Sequence, residues 1–121
     1  MTGFASLIMV NLDCADPAAL AGFYHQVLGW EITHSQDEYA MISDGRVGIG
    51  FGRIDGYQPP AWPDDTSTKR YHLDLRVDDL DKATERCLEL GASLPGFQPD
   101  GERWRVLTDP AGHPFCLCPA S

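Results

Sequence analysis

LDCADPAALAGFYHQVLG, residues 12–29, and LDLRVDDLDKATERCLELG, residues 73–91, carry the reading of the fold. Each begins as a short apolar strand, passes an aspartate suited to capping a helix, and ends on Leu-Gly. Asp16 and Asp78 occupy matching places, as do Leu28-Gly29 and Leu90-Gly91, with an offset of 62 residues in a chain of 121. A repeat of half the chain predicts two copies of one supersecondary unit around a shared core. It also predicts where a ligand sits, on faces that both copies supply.

Working outward from the first copy, residues 7–14 (LIMVNLDC) are short and rich in branched apolar side chains, which reads as a strand. Pro17 suits a first helical turn behind Asp16, and Leu20, Phe23, Tyr24 and Val27 recur on one helical face. Residues 30–34, 38–42 and 46–53 follow as three strands, separated by Ser35-Gln36-Asp37 and by the hairpin signal Asp44-Gly45. The last of these alternates Gly48, Gly50 and Gly52 with Val47, Ile49 and Phe51. One face is large and apolar and the other bare, so the strand is either bulged or the floor of a ligand cavity.

Residues 54–68 form a linker rich in proline and aspartate, in which Trp62 is a packing anchor, a lid or an interface contact. The second copy then runs as a strand over 69–77, a helix capped by Asp78 or Asp79, and strands over 92–94, 102–108 and 114–118. In its helix Leu80, Ala83, Cys87 and Leu90 make the buried stripe. The order strand-helix-strand-strand-strand therefore occurs twice. We expect an α+β chain with one domain over 1–121, a first module over about 5–53 and a second over about 69–119.

The net charge of −9 argues against a nucleic-acid surface and suits a cationic ligand. No apolar run is long enough to span a membrane and no secretory leader opens the chain, so a cytoplasmic protein is expected. None of Cys14, Cys87, Cys116 and Cys118 forms a CxxC pair, and they read as reduced small hydrophobes. Alternation does put Cys116 and Cys118 on one face of the last strand. It likewise groups His72, Asp74 and Arg76 opposite Tyr71, Leu73, Leu75 and Val77. Which of Trp104-Val106 and Arg103-Arg105-Leu107 faces inward stays open.

Three segments, FYHQVLGW (23–30), HLDLRVDDLDKA (72–83) and LTDPAGHPFCL (107–117), resemble the vicinal oxygen chelate superfamily and, within it, small glyoxalase-like proteins. That group includes glyoxalase I, extradiol dioxygenases, fosfomycin resistance enzymes and bleomycin resistance proteins. The resemblance implies two βαβββ modules whose sheets form an open cupped barrel with helices outside, usually in a homodimer. It also implies a divalent ion in the metal-using members, held by His and Glu from the first and fourth strands of each module.

Of those four positions this chain fills one with His72 and one with Cys116. Met9 (or Val10) and Gly50 or Gly52 stand at the others and offer no donor for a hard ion. No nucleophile elbow, phosphate loop or Ser-His-Asp order is present, so no catalytic residue is assigned. A Cys116–His72 nucleophile pair is conceivable in space.

The expectation is a small-molecule-binding protein with a degraded, metal-free cup and no cofactor. Its ligand, of cationic character, would meet Met9, Asn11, Gly50, Gly52, His72, Asp74, Arg76 and Cys116. The alternative is a metal-dependent lyase, isomerase or dioxygenase using His72 and partners from other strands or a second chain; separately, Zn is the ion that could use His72 and Cys116 together, with Asp74 or Asn11 added. A third possibility is a domain serving assembly through Trp62.

Overall fold

The computed structural model describes residues 3–62, 70–99 and 103–119. The chain divides into two compact units, Met1–Tyr57 and Gln58–Ser121. Among the described residues, two helices and two sheets, each mixing parallel and antiparallel pairs, make an α+β fold, and neither sheet closes into a barrel.

In the N-terminal unit, β1 (Met9–Cys14) leads into α1 (Pro17–Leu28), then β2 (Glu31–Ser35), β3 (Tyr39–Ser43) and β4 (Gly48–Arg53). The sheet order is β1-β4-β3-β2, with β1 parallel to β4 and the other pairs antiparallel. The helix starts where the sequence places it: the Asp16 carboxylate accepts from the Ala19 amide at 3.2 Å, satisfying a donor the first turn leaves open. It stops at Gly29, whose φ of 73° is the left-handed conformation glycine adopts without strain. Leu20, Phe23 and Tyr24 are buried, as their spacing predicts, and Tyr24 stacks on Phe51 with ring centroids 5.8 Å apart. Phe51 and Ile49 therefore face α1, and the glycines of β4 face away from it.

In the C-terminal unit, β5 (Leu73–Val77), α2 (Leu80–Glu89), β6 (Arg105–Thr108) and β7 (Pro114–Pro119) give a three-stranded sheet of order β5-β7-β6. Asp79, not Asp78, caps α2, accepting from the Lys82 amide at 3.0 Å. Cys87 and Thr84 are the buried residues of this helix; Leu80, Ala83 and Leu90 are half-buried.

The first and second strands of the second copy depart from the sequence reading. The strand expected over 69–77 begins at Leu73, because Arg70 takes a left-handed φ of 57° and breaks the extended run; Lys69 lies outside the described residues. The strand expected over 92–94 is a single bridge, Ser93 to Thr108. Pro95 and Gly96 end it, and the Gln98 side chain takes over as the partner of β6. Its amide donates to the Val106 carbonyl at 2.8 Å and its Oε1 accepts from the Val106 amide at 2.9 Å. One side chain thus satisfies the backbone groups a fourth strand would have paired. Glu102, the expected start of β6, lies outside the described residues.

Candidate ligand and metal site

The sheet of the C-terminal unit turns Phe115 and Leu117 to one face and Cys116 and Cys118 to the other. Register places Asp74 beside Cys116 and Arg76 beside Cys118 on parallel neighbours, and Val106 beside Cys116 on the antiparallel side. The orientation of β6 is fixed by Arg105, whose guanidinium reaches Asp81 of α2 at 3.0 Å and the Thr84 hydroxyl at 3.1 Å. Arg105 and Leu107 therefore face the helix, and Trp104 and Val106 face the other way. This settles what alternation left open.

On that second face an open pocket of about 270 Å³ is lined by His72, Asp74, Trp104, Cys116 and Cys118. Trp62 packs against Val106 and Cys116, with Trp104 and Cys118 against the same cluster, so it is the anchor that its place in the linker suggested. It is 8% exposed, and among the described residues its indole N–H has no hydrogen-bond partner. Such a buried donor is costly to leave unpaired.

His72 is one of the residues lining the pocket. Its Nδ1 lies 2.9 Å from the Arg70 carbonyl. A carbonyl only accepts, so Nδ1 carries the hydrogen. The left-handed backbone of Arg70 aims that carbonyl at the ring. Nε2 is left 3.1 Å from Asp74 Oδ1. In the neutral ring both are acceptors facing one another, and the contact becomes favourable only with a second ring proton or a cation between them. The Cys116 thiol completes a trio whose donor atoms lie within 4.8 Å of one another. Cys116 is 2% exposed and Cys118 half-buried. Burial, and after it the Asp74 carboxylate, push the Cys118 thiol up, so it stays protonated at neutral pH.

The residues expected in a ligand site are thus distributed unevenly. His72, Asp74 and Cys116 come together. Arg76 lies one pair further along the strand, exposed and outside the lining. Met9, Asn11, Gly50 and Gly52 belong to the sheet of the N-terminal unit, where Met9 pairs with Gly48 and Asn11 with Gly50. There the bare face of β4 is not empty. The Asn11 side chain and the Tyr39 hydroxyl occupy the space a Cβ on Gly50 would take, whereas over Gly48 the Ile42 carbonyl is the near neighbour and Met41 and Met9 are in ordinary contact. The Tyr39 hydroxyl donates to the Met9 thioether at 3.2 Å. Sequence reasoning did not select Trp104 or Cys118 as site residues. The shared face of Cys116 and Cys118 was the available signal for the second, and alternation along residues 103–107, which left the inward face open, was the signal for the first.

Two of the other histidines are tied into the fold. His25 Nδ1 donates to the Trp30 carbonyl at 2.6 Å, tying the end of α1 to the loop that follows. The amide of His113 donates to the Asp109 carboxylate at 3.0 Å within a turn.

The model of the glyoxalase-like domain matches residues 9–118. The chain belongs to that family. The family and the structural neighbours together place it in the vicinal oxygen chelate superfamily. A glyoxalase/bleomycin resistance protein/dioxygenase family enzyme from Burkholderia phytofirmans is similar at 25% identity and TM-score 0.73, covering 97% of this chain and 100% of that one. A bleomycin-binding protein from Streptomyces verticillus, complexed with copper(II)-bleomycin, is similar at 17% identity and TM-score 0.59, with 100% of both chains covered. A fosfomycin resistance protein, FosX, from Listeria monocytogenes, complexed with Mn(II) and dihydroxypropylphosphonic acid, is similar at 18% identity and TM-score 0.73, covering 98% of this chain and 93% of that one. No curated protein matches the sequence.

A hard divalent centre with four His and Glu donors does not fit the side chains of this glyoxalase-like protein. The N-terminal unit has Met9 and glycines at the corresponding positions, and the C-terminal unit has a buried thiol where a carboxylate would stand.

Proposed function

We propose that this glyoxalase-like protein binds a small molecule in the pocket of its C-terminal unit, without a resident hard catalytic ion, and that the ligand presents a cationic group. One observation carries this reading: His72 Nε2 and Asp74 Oδ1 face each other at 3.1 Å with the ring hydrogen held on the opposite nitrogen. A ligand N–H or positive charge between them meets two acceptors. Trp104 adds an aromatic wall of the kind that attracts cations. The net charge of −9 favours approach of a cation.

A thermal-shift screen of organic cations tests it, with bleomycin and dihydroxypropylphosphonic acid, the ligands of the two relatives, included. Organic cations stabilise the wild type, and Asp74→Asn and Trp104→Ala each remove the effect. Stabilisation by cations that survives in both variants overturns the reading.

A second reading, a divalent-metal-dependent lyase, isomerase or dioxygenase, has its own support in the trio of donor atoms within 4.8 Å. It requires that His72→Ala abolish both metal uptake and turnover; unchanged metal content in that variant removes it.

We further infer a homodimer in a reducing, cytoplasmic setting. Phe4, Leu7 and Ile8 expose apolar side chains in one short stretch, and none of the four cysteines is in a disulfide. Sedimentation at micromolar concentration checks the first point, where a monomer removes the proposal.

A further inference from the structure

We propose that the pocket takes a soft, thiophilic d10 metal ion, held by Cys116 and Cys118 Sγ with His72 Nε2 and Asp74 Oδ1. The inference rests on reading this face as a ligand site and names a class of ligand for it.

Three features of the chain lead there. First, the strand period of two sets both thiols of β7 on the pocket face, and both line it. Thiolates select borderline and soft ions such as Zn(II) and Cu(I) over Mg(II) or Mn(II). The substitution that makes a hard centre unworkable is therefore the one that makes a soft centre possible.

Second, the spacing is close to what coordination requires. Bonds of about 2.0–2.3 Å to a tetrahedral ion set its donors roughly 3.4–3.8 Å apart. His72, Asp74 and Cys116 already lie within 4.8 Å of one another, so side-chain rotation of about an ångström closes those three, and Cys118, which lines the same pocket, becomes the fourth donor by turning its side chain toward them.

Third, His72 is oriented as a metal-binding imidazole is. Its Nδ1–H is committed to the Arg70 carbonyl, which fixes the tautomer and turns the Nε2 lone pair into the pocket. A ring held only for packing would gain nothing from this backbone conformation at Arg70, where a non-glycine residue with positive φ is uncommon.

Binding replaces the S–H bonds of the two thiols by S–metal bonds, and the two protons go to solvent. With four donors engaged the site is closed, which suits capture or sensing of the ion better than Lewis-acid catalysis, where a coordination position stays open.

The test uses the full chain, purified reduced and metal-free. Zn(II) is titrated in competition with a chromophoric chelator, with Mn(II) as the hard-ion control. We expect one Zn(II) per chain and no competitive Mn(II) binding. Cys116→Ser and His72→Gln should each weaken Zn(II) by at least about 100-fold and Cys118→Ser by about 10-fold or more. Cys14→Ala and Cys87→Ala, outside the pocket, should bind as the wild type does.

In the wild type, Zn(II) should also slow alkylation of Cys118 by iodoacetamide, read by mass spectrometry; this arm stands even if Cys116→Ser fails to fold. Failure to hold Zn(II) against the chelator overturns the proposal. So does equal affinity for Mn(II), or equal loss in Cys14→Ala or Cys87→Ala.

Trp104→Ala separates the two readings, because it removes the wall for an organic cation and no metal donor. Loss of Zn(II) binding with Trp104-dependent binding of organic cations intact sinks this inference alone. The converse sinks the organic-cation reading and leaves this one standing.

Discussion

The two units share their helix-facing layers and differ on the opposite sheet faces. In the N-terminal unit α1 packs Tyr24 onto Phe51, and in the C-terminal unit Phe115 and Leu117 are fully buried on the α2 side of β7. Opposite that layer, the N-terminal sheet carries Met9, Asn11 and Tyr39 over glycines, whereas the C-terminal sheet carries His72, Asp74, Trp104 and two thiols around a pocket. The half that binds a helix keeps its chemistry because burial leaves it few alternatives. The other half is where two copies of one plan diverge, so function is read from their differences rather than from the repeat.

The largest test of the shared layer is a matched pair. Phe51→Ala and Phe115→Ala each remove a side chain of 0% exposure and should each cost about 3–5 kcal/mol, seen as a lowered denaturant midpoint. Equal losses support the layer as the common element. A loss below about 1 kcal/mol in either would show that its unit tolerates the cavity by collapse and that the copies are not alike there.

The second prediction concerns the divergent face. Gly50→Ala should cost about 1–3 kcal/mol, because its Cβ would displace the Asn11 and Tyr39 side chains. Gly52→Ala meets nothing within 4 Å and should stay within about 0.5 kcal/mol. Tyr39→Phe in the Gly50→Ala background should recover part of the loss by removing the crowded hydroxyl. Denaturant unfolding of the four proteins decides it. Equal costs at Gly50 and Gly52 would mean that the glycines of β4 do not serve the packing of Tyr39.

This contrast also shows what the sequence could and could not reveal. The helix start at Asp16, the stop at Gly29 and the pairing of His72 with Asp74 on one face follow from local rules about caps and strand period, and these were legible; at the second helix the same rules left Asp78 and Asp79 open. The orientation of β6 was not. It depends on Arg105 reaching Asp81 and Thr84, more than twenty residues away, which no local period encodes. The loss of the strand over 92–94 was hidden for the same reason: Gln98 substitutes for a strand through side-chain bonds to Val106. The bare face of β4 was read as either a bulge or the floor of a ligand cavity. The reading open between a bulge and a ligand floor omitted Asn11 and Tyr39, whose approach across the sheet depends on register between strands.

A third, smaller comparison uses the caps. Asp16→Ala and Asp79→Ala each remove one carboxylate-to-amide bond at a helix start, at 3.2 and 3.0 Å, and each should cost about 1 kcal/mol. Chemical denaturation of both variants gives the answer. A cost confined to one cap would mean that the other helix is held at its start by packing alone.

The smallest effect should come from the two aspartate turns that close the last hairpin of each unit. Asp109 is buried, and its carboxylate accepts from the amides of Ala111 and His113 at 2.9 and 3.0 Å. Asp44 makes the same kind of turn on the surface, accepting from the amides of Arg46 and Val47 at 2.8 and 2.9 Å. The Val47 amide, then that of Arg46, hold the Asp44 carboxyl below its ordinary value of 3.8. A carboxyl whose folded value is depressed stabilises the fold above the ordinary value and loses that contribution as pH falls through the folded one.

Asp44→Asn keeps an acceptor oxygen and removes only the charge. It should therefore be slightly less stable than wild type at neutral pH, and the two should converge as pH falls below 3.8. Because the group is exposed, concentrated salt should shrink the neutral-pH difference. Thermal midpoints across that range, with and without salt, measure it. A difference that persists undiminished in strong acid would mean that the turn acts through the shape of its hydrogen bonds and not through the charge on Asp44.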